Sequence, residues 1–283
     1  VEDNKLPKPT RGHGWACDSH ALEPLAKAPT LRTASILLDQ YHGTFIKTIT
    51  DIVAALGHGD HDTASTQLQT LADFAPVGRH LVIPWRVAVA GAPNVGKSSL
   101  VNALAGYQRA IVAPVAGTTR DVVTTTTALD GWPVELADTA GLREEAESLE
   151  AAGIGLARRH LAEADVVVWV LDVSTPNLVW PAGPDAERIG RERLLVANKI
   201  DLPAAWGLDA APIVLRLSAA TGTGIPELAS AISHLLVPHP PTTGAAVPFT
   251  PELADAIESA HRLLASGEFA AAHKALVSCL PEG

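Results

Sequence analysis

From Thr30 onward, apolar residues recur with a helical period. Ala34, Leu38, Tyr41, Phe45, Ile49, Ile52 and Leu56 follow one another at steps of three and four. That stripe predicts one amphipathic helix ending at Gly57. After the polar stretch 58–62, the spacing of Leu68, Leu71 and Phe74/Ala75 predicts a second, shorter helix stopped by Pro76. The pattern changes at Trp85. Short, β-branched apolar runs predict strands over 86–90, 122–129, 133–137, 166–171, 194–197 and 213–217. Helical stretches over 97–105, 147–164 and 226–236 separate them. The run 166–171 lacks strict alternation, as expected of a strand covered on both faces. The threonines 124–127, ahead of Asp130 and Gly131, predict an antiparallel hairpin at the sheet edge. The helical period then returns. Thr250 caps, Pro251 takes the first helical position, and Leu253, Ile257, Ala260 and Leu264 form the stripe. Ser266 and Gly267 break it, and Phe269, Ala272, Leu276 and Leu280 predict a last helix.

These elements predict an irregular arm (1–29), a first helical segment (30–84), an α/β domain (85–238), a Pro/Thr/Gly linker (239–249) and a second helical segment (250–283). Neither helical segment can bury its stripe alone. The economical arrangement packs them on each other, so that a doubly wound, mostly parallel α/β domain is inserted in an α-helical bundle. Separate docking of each segment on the α/β domain is the alternative.

Composition narrows the class. The 283 residues suggest two domains, and a hydrophobic share of 47% with 18% charged residues fits a packed globule. Lys+Arg 21 against Asp+Glu 31 gives a net charge of −10, which argues against a large nucleic-acid surface and leaves direct nucleic-acid binding open. Two cysteines, Cys17 and Cys279, exclude a disulfide scaffold and a four-cysteine zinc site. No apolar run approaches the ~20 residues of a membrane span and no secretory leader opens the chain, so a cytoplasmic setting without a membrane is expected. His58, His61 and His80 lack metal-ligand spacing and are expected at the solvated surface. Trp85, Trp132 and Trp180 are expected to pack near strand ends. Arg188, Arg191 and Arg193 alternate with Glu187 and Glu192, which predicts a salt-bridged surface.

Candidate chemistry starts at residues 91–98. GAPNVGKS fits G-x-x-x-x-G-K-[ST] between a predicted strand and a predicted helix. The glycines let backbone N–H groups face phosphate oxygens, and the helix N-terminus adds positive potential. Asn94, Val95, Gly96, Lys97, Ser98 and Ser99 are therefore nucleotide-binding candidates. Lys97 is expected on the β- and γ-phosphates and Ser98 on Mg²⁺. Asp138-Thr-Ala-Gly141 closes the strand 133–137, where Asp138 can reach Mg²⁺ through water and Gly141 can offer its N–H to the γ-phosphate. Asn198-Lys199-Ile-Asp201 closes the strand 194–197. The Asp201 carboxylate can accept two hydrogen bonds that guanine offers and adenine does not, and Lys199 can lay its methylenes on the ring. Ser218-Ala219-Ala220 ends the next strand, where a backbone N–H can meet the guanine oxygen. The order of these motifs predicts a P-loop GTPase domain using GTP and Mg²⁺.

The runs GAPNVGKSSLVNALA (91–105), AIVAPVAGTTRD (110–121) and DTAGLRE (138–144) resemble the G domain of the MnmE (TrmE) tRNA-modification GTPases. Part of this wording is shared with the ribosome-assembly GTPases Era and Der. An Era- or Der-like factor, or a regulatory switch for an unknown partner, is the alternative reading. The MnmE resemblance implies a G domain inserted in a helical domain, a GTP-dependent homodimer formed through G domains, and a protein partner in wobble-uridine modification of tRNA. Leu142 stands where Ras-like enzymes place a water-orienting glutamine. The resemblance implies instead a K⁺ ion held by the Asn94 side chain and the carbonyls of Ala113 and Val115. It places Thr118 and Thr119 at the nucleotide, with Thr119 as second protein ligand of Mg²⁺. It makes Glu150 the water-orienting residue and Arg120 and Arg143 switch arginines, which with Lys97 complete the catalytic candidates. Family members carry an N-terminal folate-binding domain and a Cys-Ile-Gly-Lys tail; here Cys279 is followed by Leu-Pro-Glu-Gly. A shortened relative is expected, with Cys279 as a core thiol.

Overall fold

The computed structural model describes residues 19–107, 124–138, 161–176, 178–180, 193–206 and 215–280. A 3-10 turn, Ser19–Ala21, leads into five helices: α1 (Leu22–Ala26), α2 (Leu31–Tyr41), α3 (Thr44–Gly57), α4 (His61–Asp73) and α5 (Ala75–Arg79). The sequence predicts one helix from 30 to 57, but the chain breaks it at Gly43, whose φ of +88° favours glycine. The stripe in α2 is also out of phase with the core. Thr33, Leu37 and Gln40 are buried, whereas Leu38 is 43% exposed. Backbone at 245–247 decides this: Gln40 Nε2 donates to the Ala245 carbonyl (3.1 Å) and Gln40 Oε1 accepts from Val247 N–H (3.1 Å). A buried amide so paired replaces an apolar contact. Pro76 does not stop a helix; it opens α5, where a missing N–H is harmless. Thr30 caps α2 with a capping box, as its position before the periodic run suggests.

The α/β part contains β1 (Trp85–Gly91), α6 (Lys97–Tyr107), β2 (Thr124–Leu129), β3 (Trp132–Asp138), β4 (Val166–Asp172), β5 (Arg193–Asn198), β6 (Leu215–Arg216) and α7 (Ile225–Leu236). The strands run in the order β2-β3-β1-β4-β5-β6. Among the described strands only the β2–β3 pair is antiparallel, the predicted hairpin edge. Residues 122–123 and 213–214, and most of the predicted helix 147–164, lie outside the described residues. Alternate residues of β4 serve two faces. Val166, Val168 and Val170 join the core under α6 and α7, and Val167, Trp169 and Leu171 join the opposite one.

After the linker, α8 (Pro251–Ala265) and α9 (Phe269–Val277) pack on the first helices, α8 against α4 and α5 and α9 against α3. Thr250 caps α8 through Leu253 N–H (3.2 Å). Arg79 on α5 bridges Asp255 (2.5 Å) and Glu258 (2.9 Å) of α8. Phe45 meets Phe249 edge-on, with centroids 5.5 Å apart. Two histidines depart from the surface expectation. His61 stacks on Phe269 at 3.7 Å and His80 on Trp85 at 3.6 Å. Burial pushes the His80 pKa down, against the pull of Asp165. Trp85 and Trp132 are buried, and Trp180 is 38% exposed. Cys279 is partly buried against the core and its thiol pKa is raised by burial.

The helices reach the sheet at its strand-starting edge. The Thr30 hydroxyl donates to the Gly131 carbonyl (2.7 Å) and Arg32 donates to the Asp130 carbonyl (2.7 Å) at the β2–β3 turn. The Arg32 guanidinium lies 4.8 Å from the Trp132 ring centroid. The opposite edge, where the parallel strands end, is left for the site.

Candidate functional site

In open α/β sheets ligands bind beyond the carboxyl ends of the strands, where the strand order reverses. Here β1 is flanked by β3 on one side and β4 on the other. The loop leaving β1 is the GAPNVGKS segment. Gly91 has φ +144°, and a Cβ there would lie 2.5 Å from the Val170 carbonyl oxygen of β4. Gly96 has φ +96°, and a Cβ would collide with the Asn198 side-chain amide. Both positions therefore require glycine for conformation and for space. Between them Asn94 takes the left-handed region (φ +63°), which asparagine tolerates. The loop then enters α6, whose N-terminus adds positive potential.

Lys97 is 6% exposed and its ammonium donates to the Ala92 carbonyl (2.8 Å), across the mouth of the loop. The Ser98 hydroxyl donates to Asp138 Oδ2 (2.5 Å). Asp138 is buried at the last position of β3. A hydroxyl and a carboxylate thus converge beside a loop built for phosphate. Such hard oxygen donors fit Mg²⁺, which Ser98 would hold directly and Asp138 through water.

The base end is tied more fully. Asn198, 1% exposed at the end of β5, donates from Nδ2 to the Val95 carbonyl (2.8 Å) and accepts at Oδ1 from Ala219 N–H (3.0 Å). One side chain therefore joins the phosphate loop to the 218–220 loop. Lys199 (φ +67°) donates to the Asn94 carbonyl (2.7 Å) and to Asp172 Oδ2 (2.6 Å). Ser218 is buried; its hydroxyl accepts from Thr221 N–H (3.2 Å) and closes the turn. Asp201 and Ala220 are exposed at the rim. A cavity of about 290 Å³ lies alongside, between the phosphate loop and the end of β4, with Asn94, Asp172 and Lys199 in its wall.

Residues 86–199 match the family model described as 50S ribosome-binding GTPase. The tRNA modification GTPase MnmE of Akkermansia muciniphila is 44% identical over 185 residues, covering 65% of this chain and 39% of that protein. MnmE of Thermus thermophilus is 44% identical over 152 residues, covering 54% of this chain and 33% of that protein. The region is a P-loop GTPase domain similar to that of the MnmE relatives. The chain spans between 31% and 44% of the length of the MnmE relatives it matches. The G domain of the T. maritima FeoB iron transporter covers 53% of this chain and 98% of its own at 27% identity, with a TM-score of 0.37.

The phosphate loop, Asp138, the Asn198–Asp201 segment and Ser218–Ala220 lie at one sheet edge, beyond the ends of the parallel strands. Other expectations for this MnmE-type site fall outside the described residues: Ala113, Val115, Thr118, Thr119, Arg120, Gly141, Arg143 and Glu150. Sequence reasoning missed Asp172. It ends β4 in register with Asn198 of β5 and is 7% exposed. Its Oδ1 accepts from Ser174 N–H (2.8 Å) and Oγ (2.6 Å). Burial alone would raise its pKa; the hydrogen bonds from Lys199 and Ser174 outweigh that and hold it below the ordinary carboxylate value. The available signal was a lone carboxylate ending the most apolar strand.

Proposed function

We propose that the chain hydrolyses GTP to GDP and phosphate as the switch unit of an MnmE-like tRNA wobble-uridine modification system in the cytoplasm. The observation that carries this reading is Asn198, which ties the phosphate loop to the base loops from the start of a guanine-reading motif. The α/β domain (85–238) then interrupts a helical bundle formed by 30–84 and 250–283. Bound Mg²⁺, held by Ser98, Asp138 and, by resemblance, Thr119, would supply charge neutralisation at the β- and γ-phosphates. Lys97 exchanges its bond to the Ala92 carbonyl for phosphate oxygens. Asp201 accepts from the guanine edge. Leu142 cannot orient water, so the resemblance assigns that task to Glu150 and charge compensation to K⁺ at Asn94, Ala113 and Val115 within a G-domain dimer.

The test is phosphate release from GTP in matched K⁺ and Na⁺ buffers. Turnover is expected to be at least about tenfold faster in K⁺, a difference of roughly 1.4 kcal/mol in barrier, and Asn94→Ala is expected to remove the difference. Equal rates in the two salts sink the K⁺-dependent reading. The matching family's description as ribosome-binding favours a second reading, a GTP-dependent ribosome-assembly factor. Co-sedimentation with ribosomal subunits only in the GTP state would select it.

A further inference from the structure

Lys199 is asked to cover the guanine ring with a flexible, four-carbon side chain. Such a chain carries about 2 kcal/mol of rotamer entropy, and a site that fixes it before the ligand arrives avoids that loss on binding. The fixing group is in place. Asp172 Oδ2 accepts from the Lys199 ammonium at 2.6 Å, and the side chains are 8% and 30% exposed. The other carboxylate oxygen is held by two donors of Ser174. The Asp172 carbonyl accepts from Trp206 Nε1 at 3.1 Å, which anchors the strand end into the core beside Trp169 and Leu171. Both carboxylate oxygens of Asp172 are therefore engaged, one by Lys199 and the other by Ser174. The same ammonium reaches the Asn94 carbonyl, so the ion pair also fixes the phosphate loop.

We propose that Asp172 is the positioning residue for Lys199, holding it over the guanine site and setting the spacing between the base loop and the phosphate loop. This rests on the reading of the site as a guanine-nucleotide site. It goes beyond that reading by adding a residue outside the nucleotide motifs. Asp172 does not reach the base edge, so it contributes affinity for any purine stacked under Lys199 and no choice between purines. That choice stays with Asp201.

The experiment measures dissociation constants of the full chain for GDP and IDP by competition against a fluorescent GDP analogue in Mg²⁺ buffer. Asp172→Ala and the near-isosteric Asp172→Asn are expected to weaken GDP about tenfold, and IDP by the same factor. Ser174→Ala, which touches only the far carboxylate oxygen, is expected to weaken both about threefold. In a Lys199→Ala background Asp172→Ala is expected to add less than about twofold, because a positioning residue has nothing left to position. Wild-type affinity in both Asp172 variants overturns the proposal. So does a full tenfold loss persisting without Lys199, or a loss confined to GDP. Should Asp172→Ala not fold, Asp172→Asn and Ser174→Ala carry the same comparison, with nucleotide-free melting as control. A wild-type chain that binds neither nucleotide overturns the parent reading as well, an outcome distinct from normal binding unaffected by the variants.

Discussion

The two ends of the nucleotide site are built on different terms. At the base end, Asn198, Lys199 and Asp172 bond one another's strands and loops, through Val95, Ala219 and the Lys199–Asp172 pair. At the phosphate end, Lys97 bonds a carbonyl and Ser98 bonds Asp138, partners that phosphate and Mg²⁺ would replace. The base end is thus part of the fold, and the phosphate end is held ready for exchange. Preorganisation of the first keeps recognition strong, and replaceable bonds in the second leave room for a switch.

The contrast can be broken at either end. The largest effect is expected from Lys97→Ala, which removes the cation facing the developing phosphate charge. GTP turnover should fall about 10²–10³-fold in a phosphate-release assay. A loss under about tenfold would mean that another group supplies that charge. Asn198→Ala should act differently and destabilise the nucleotide-free protein by about 2 kcal/mol, read as a lower denaturant midpoint, because the Val95 carbonyl and the Ala219 N–H lose a buried partner. An unchanged midpoint would show that the base end is no more structural than the phosphate end. The smallest effect concerns pH. The Asp172 carboxyl lies below its ordinary value of 3.8 in the folded protein. Its stabilising contribution is therefore complete above the unfolded value and lost as pH falls through the folded one. The Tm gap between wild type and Asp172→Asn should stay constant from neutral pH to about pH 5 and close below about pH 4. A gap that persists at lower pH would place the effect in packing and not in the ion pair.

The sequence made the site more legible than the scaffold around it. Phosphate and guanine impose fixed residue types at fixed spacings, so Lys97, Ser98, Asp138, Asn198 and Lys199 could be named from their motifs. Strand positions followed because buried parallel strands leave β-branched runs, and their ends moved by a residue or two. Asp172 escaped because a single carboxylate at a strand end carries no spacing signal. Its importance comes from pairing in register with Asn198, a contact between strands. The helices escaped in part for a related reason. Their buried faces were set by distant backbone at 245–247, which recruits Gln40 and leaves Leu38 in solvent. Periodicity marks an amphipathic helix but does not show when a polar side chain is the one turned inward.

The β2–β3 turn has a further consequence for anyone dissecting this protein. β3 has 7 residues, so at ~3.3 Å per residue its ends stand about 20 Å apart. Asp138 marks one end, and Thr30 and Arg32 clasp the turn beyond the other. A fragment that starts at Trp85 keeps every nucleotide motif but cuts away that clasp. It uncovers the Trp132 ring on its Arg32 side and unclasps the β2–β3 turn, while β3 keeps its pairing with β1 up to Asp138. An excised G domain is therefore a different mechanical object from the intact chain, and rates measured on it describe a hairpin whose turn is no longer clasped.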